Sequence, residues 1–265
     1  MRAILGITAL EQLDWRDDWQ AWRRWREAVE AAAVLVFQFS KVSLSQVRGV
    51  SLLHDLLPAI GINSRESSAG ARSFTLIHEL AHIALARGHE EQVAQREKRD
   101  DTAWQDVERF AEEVASTVLI PAETLSRFLN RMAVPTDGWN VALVRRLAGA
   151  FRVTPLAMAT RLRAAGALSW DGYRCWKQEW DAYVATLKPR AGGPTSPVDR
   201  TLSRAGHPFA QLVLEALDAN RITSVDACHY LDLRFDHVEK LRQELRREAD
   251  LLARPSQVAT TTFPL

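Results

Sequence analysis

The sequence predicts an α+β fold in which a small antiparallel sheet near the start of the chain packs on two helices and is followed by a mostly helical remainder. Three observations carry this. Three short stretches, VLVFQF at 34–39, QVRGVSLL at 46–53 and PAIGIN at 58–63, have strand composition and are separated by turn residues. Helical periodicity then runs over 72–87 and again over 106–119. Beyond Asp137 the pattern is helical to the end. The gaps between the strands are too short for crossover helices, which disfavours parallel βαβ winding.

Taken in order, the chain opens with Trp15, Trp19, Trp22 and Trp25, whose spacing of 4, 3 and 3 sets four rings on one stripe of a helix reaching about Ala33. Such a stripe reads as core packing. The 72–87 helix ends at Gly88, a C-cap residue, and a polar stretch crosses to the 106–119 helix, which Pro121 stops. Residues 141–166 and 222–247 each read as helix, short turn, helix. Between them AGGPTSP at 191–197 has linker composition, and the tail RPSQVATTTFPL is expected to fray. These features suggest three regions: 1–135, a helical extension at 136–190, and a linker with C-terminal helices at 191–265.

Composition excludes several classes. The chain has 265 residues, 34 Lys plus Arg against 33 Asp plus Glu, and 47% hydrophobic residues, the profile of a globular protein rather than a disordered chain or a coiled-coil rod. A net charge of +1 provides no global field to attract nucleic acid or a membrane surface. The charge is uneven locally: residues 71–139 carry 8 positive and 12 negative groups, and residues 140–190 carry 9 and 3. No apolar run approaches the roughly 18 residues of a spanning helix, and acidic residues come too early for a secretory signal, so a cytoplasmic location is expected. Cys175 and Cys228 read as reduced thiols, and no cysteine zinc site is available.

The chemistry is concentrated in SFTLIHELAHIAL, where His78, Glu79 and His82 form HExxH. On a helix, positions i and i+4 share a face, so both imidazoles can converge on one metal while Glu79, about 100° around, reaches a water bound there. The flanking Phe74, Leu76, Ile77, Ala81 and Leu85 describe a buried helix, in which paired histidines without partners would be costly. A catalytic zinc needs a third protein ligand. In the helix that follows, Glu108 and Glu112 lie on one stripe bordering the apolar face of Val107, Ala111, Val114 and Val118. One can bind the metal while the other orients an imidazole, and spacing alone leaves the assignment open.

RSFTLIHELAHIAL followed by VERFAEEVASTVLIP resembles the ImmA/IrrE family of zinc metallopeptidases. The likeness covers residues 15–165 well and the later helices more loosely. It implies a zincin-like minimal metallopeptidase core with Zn2+ held by His78, His82 and Glu108, and Glu79 as general base. It further implies that Glu112 orients a ligating imidazole, from a position where the family usually has Asn or Asp. Many members carry a helix-turn-helix domain ahead of the peptidase, and the segment before the strands is too short to hold one. The resemblance also implies the substrate class, a helix-turn-helix repressor or antitoxin encoded nearby. Arg72, Tyr173 and His54 are candidate oxyanion donors, PAIGIN is a candidate edge strand for an extended substrate, and His89 reads as a helix-end residue. The competing reading is a DNA- or partner-binding regulator with a structural or silent zinc site. Its support is the basic 140–190 segment and the two helix pairs; against it, VALVRRLAGAF and LAMATRLRAAG place their apolar residues as a core requires.

Overall fold

The computed structural model describes residues 1–87, 102–132, 138–187 and 195–253. Gly88, His89, most of the polar stretch after them, the start of the 191–197 linker and the tail from 254 onward lie outside these residues. The chain divides into two compact units, Met1–Gly192 and Gly193–Leu265.

The first unit begins with short helices α1 (Arg2–Leu5) and α2 (Ala9–Asp14), followed by α3 (Asp18–Ala31). Thr8 caps α2 by accepting from the Glu11 N–H, and Asp17 caps α3 by accepting from the Gln20 N–H. The Asp17 cap corrects the tryptophan stripe. Trp15 lies in extended backbone just after α2, outside α3, although its ring is buried edge-on against Trp25 with centroids 5.6 Å apart. Trp22 and Trp25 are core residues, whereas Trp19 is 46% exposed and lies beneath the Arg72 guanidinium. One intended face is thus split by the cap that Asp17 supplies.

The sheet has three strands, β1 (Leu35–Phe39), β2 (Gly49–Leu52) and β3 (Ala59–Asn63), in the order β1-β3-β2. β2 pairs antiparallel with β3, as expected, but β1 pairs with β3 in parallel, so the sheet is mixed. The reason lies in burial. AIGIN is buried at four of five positions and takes the centre, while GVSL alternates between half-buried and exposed and suits an edge. The parallel crossover is made by a loop and the edge strand itself, with no helix. Val36, Gln38, Ile60 and Ile62 form the buried inner face.

Against that face pack α3 and α4 (Ala69–Arg87), and α5 (Thr102–Leu119) packs on α4. Both helices start earlier than the periodicity suggests; Ser68 accepts from the Ala71 N–H at the start of α4. Pro121 ends α5 as predicted, and its carbonyl also accepts from the Leu125 N–H, opening an unforeseen α6 (Ala122–Met132). The last carbonyls of α5 are capped from distant parts of the chain. Arg2 donates to Val118 O, Gln12 Nε2 to Leu119 O at 2.9 Å and to Phe151 O at 2.6 Å, and Arg161 Nε to Ile120 O at 3.1 Å. Burial of Arg2 lowers its pKa to about 10, still high enough to keep it charged at neutral pH.

Helices α7 (Val141–Phe151) and α8 (Pro155–Ala164) form the first expected pair, capped by Asn140 and Thr154, and their Leu147, Phe151, Met158 and Leu162 lie in the core. On them packs α9 (Trp170–Ala185), through Trp176. In the second unit, α10 (Pro197–Ala205), α11 (His207–Asp218), α12 (Ser224–Leu231) and α13 (Val238–Ala253) enclose a separate apolar core that includes Leu202, Leu214, Leu231 and Leu241. Thr223 and Asp226 form a capping box at α12, and a 3-10 turn at Phe235–His237 leads into α13.

Candidate metal centre

Helix α4 sets His78 and His82 one turn apart with Nε2 atoms 3.1 Å from each other. From α5, Glu108 reaches both: Oε2 lies 3.3 Å from His78 Nε2 and Oε1 lies 3.5 Å from His82 Nε2. The three residues form a group whose donor atoms all lie within 4.8 Å of one another. Burial lowers the pKa of both imidazoles; at His78 the neighbouring His82 adds to the effect and Glu108 opposes it, and at His82 Glu108 again opposes burial. The direction keeps both rings neutral, each with a lone pair to offer.

That arrangement suits a metal better than a hydrogen-bond cluster. Two neutral imidazole nitrogens and two carboxylate oxygens turned on one another hold more lone pairs than protons. A tetrahedral zinc with ligand bonds of about 2.0–2.1 Å sets its ligands about 3.3 Å apart, close to the 3.1, 3.3 and 3.5 Å found here. The donor set, two nitrogens and a carboxylate, is that of catalytic zinc sites with a position left for water. His78 Nδ1 is buried without a hydrogen-bond partner among the described residues.

The three donors and Glu79 line a cleft of about 850 Å³. Its floor is α4, one wall is α5 with Trp104, Gln105, Arg109 and Glu112, and the other is the β1–β2 loop and edge strand, residues 44–51. Glu79 is only 8% exposed and sits beside Gly49. Glu112 is exposed on the cleft wall and makes no hydrogen bond to either imidazole among the described residues.

Several other expected site residues do not come here. Arg72 spends its donors on Glu66 O, Ser64 O and Gln38 Oε1, holding the start of α4 to the sheet. Tyr173 belongs to an aromatic ladder on α9, and the His54 ring accepts from Leu56 and Leu57 N–H in an exposed loop. None of the three lines the cleft. PAIGIN supplies the central strand, so the edge beside the site belongs to β2. Conversely, sequence reasoning missed Trp104, whose ring stacks nearly parallel on His82 with centroids 5.7 Å apart. Its position one turn before Glu108 is the signal that an earlier start for α5 would have exposed.

No helix among the described residues is long and apolar enough to cross a membrane. Residues 30–163, just over half of the chain, match the model of the peptidase M78 family, described as the IrrE N-terminal-like domain. This bears out the resemblance read from the two motifs. Searches of curated proteins and of solved structures found no match.

Proposed function

The chain belongs to the peptidase M78, IrrE N-terminal-like family, and from that premise we propose that it is a zinc-dependent endopeptidase cleaving one regulatory protein, such as a helix-turn-helix repressor or antitoxin, in the cytoplasm. The observation that carries the reading is the convergence of His78, His82 and Glu108 beside a buried Glu79 in one cleft. In this reading His78, His82 and Glu108 hold the ion, which when bound lowers the pKa of water and polarises a peptide carbonyl. Glu79 accepts the proton of the attacking water and passes it to the leaving amine as the C–N bond breaks. Glu112 is assigned to steadying an imidazole from the cleft wall. The outer edge of β2, unpaired among the described residues and beside the cleft, offers backbone pairing to an extended peptide. A narrow substrate range is physically reasonable, because an unselective protease in the cytoplasm would damage its host.

The test uses the protein encoded next to this chain, if it is a small helix-turn-helix protein. Wild type should cut it, a chelator should abolish cutting, and Glu79→Gln should bind it with zinc retained but cleave about 10²-fold or more slowly. Gels and mass spectrometry read the products. Equal rates in wild type and Glu79→Gln would sink the hydrolytic mechanism. Tight partner or DNA binding with cleavage by neither would favour the regulator with a silent zinc site.

A further inference from the structure

We infer that Gly49, on the edge strand, is a positioning residue for Glu79: the missing side chain is the space that the carboxylate occupies. The inference rests on Glu79 being the base, as proposed above. In the register of the sheet, Gln38, Ile62 and Gly49 form one row across β1, β3 and β2, and all three point to the inner face toward the helices. The row ends in a glycine where the sheet meets α4 beside the metal centre. A Cβ at Gly49 would lie 2.5 Å from Thr75 Cγ2, 2.7 Å from Glu79 Oε1 and 2.9 Å from Glu79 Cγ. Carbon contacts below 3.0 Å are not tolerated, so something must move. Gly49 has no left-handed backbone angle to explain its presence, since the positive-φ glycines are Gly6, Gly166 and Gly206. Space, not conformation, is what this position requires.

The neighbours differ in how they can yield. Ile62 is fully buried at the centre of the sheet, so β2 is pinned on one side by its pairing with β3. Thr75 is β-branched and stiff. The Glu79 side chain has more rotatable bonds and ends in the cleft, so it is the group that gives way. Gly49 therefore acts through Glu79, leaving beside β2 the space in which its carboxylate sits. The three atoms nearest to such a Cβ belong to Thr75 and Glu79, and none belongs to His78, His82 or Glu108.

Thr75→Ser is the reference protein, because it removes the closest methyl and leaves Glu79 as the nearest obstacle to a Cβ. In that background Gly49→Ala should keep about one zinc per chain and an unchanged KM for the neighbouring helix-turn-helix protein, while kcat falls tenfold or more, as expected when a reacting group is displaced by about 1 Å. A second readout needs no substrate. Gly49→Ala should lower the melting temperature of the Thr75→Ser protein, and adding Glu79→Ala should abolish most of that loss by emptying the contested space. A crystal structure of the Thr75→Ser, Gly49→Ala protein should show the Glu79 carboxylate displaced and β2 unmoved. The inference is overturned if the melting loss is the same with Glu or Ala at 79, or if the carboxylate stays while the strand shifts. It is also overturned if kcat stays within twofold of the reference. Should wild type cleave nothing, the peptidase reading fails, yet the melting comparison and the crystal structure still decide the role of Gly49.

Discussion

The two compact units differ most in what they bury. Among the described residues, the first unit buries Gln12, Arg26, Gln38, Asn63, Ser73, Glu79 and His82 along with its apolar core, whereas the second buries a single polar side chain, Thr201. Buried polar groups carry a desolvation cost that a purely stabilising design avoids. In the first unit some of these groups are structural, such as Gln12 on two carbonyls and Asn63 on Val42 O and Val47 O. Glu79 and His82 instead face a cleft. The comparison teaches where chemistry is to be sought: the second unit has an ordinary apolar core, and the first also buries ionisable groups that face a cleft.

The largest effect that can break this comparison is on metal. Glu108→Ala or His82→Ala should lower zinc affinity by about 100-fold or more, more than is lost on removing a supporting outer-shell partner, as measured by elemental analysis after dialysis. If Glu112→Ala loses the metal and Glu108→Ala retains it, the two glutamate roles are exchanged. Next in size, Leu241→Ala in the core of the second unit should cost about 2–5 kcal/mol of that unit's stability in calorimetry and leave zinc content unchanged. A loss of zinc in that variant would mean that the units are not separate in their energetics. Smallest is Thr223→Ala, which removes the capping box of α12 and should cost about 1 kcal/mol in denaturant unfolding, with zinc binding again unchanged.

Much of the candidate site was legible because its signal is local. HExxH needs only one helix, and the 3.6-residue period puts His78 and His82 together whatever surrounds them. Glu108 was reachable from the stripe of its own helix and from the family resemblance. What escaped depends on tertiary placement. Which strand becomes the edge is settled by which is most deeply buried, so β2 rather than PAIGIN borders the cleft. Arg72 has the chemistry of an oxyanion donor, but carbonyls on the loop after β3 claim it. The tryptophan spacing predicts core packing for four rings; Trp15, Trp22 and Trp25 are buried, but Trp19 is exposed and a single capping aspartate removes Trp15 from the helix. Spacing reports faces of one element and says little about which element arrives opposite.

The capping of α5 has a consequence for how the protein can be cut down. The family match begins at residue 30, yet Arg2 and Gln12 hold the carbonyls at the end of the helix that carries Glu108. A chain begun at residue 30 would preserve every residue of the family match and still strip Val118 O and Leu119 O of their donors, at about 1–3 kcal/mol for each carbonyl left dry. It would also remove Trp22 and Trp25, both nearly inaccessible to solvent, from beneath the sheet and α4. Shared ancestry marks one boundary and mechanical integrity another, about thirty residues earlier, so a truncation drawn at the first is expected to give an insoluble or metal-poor product.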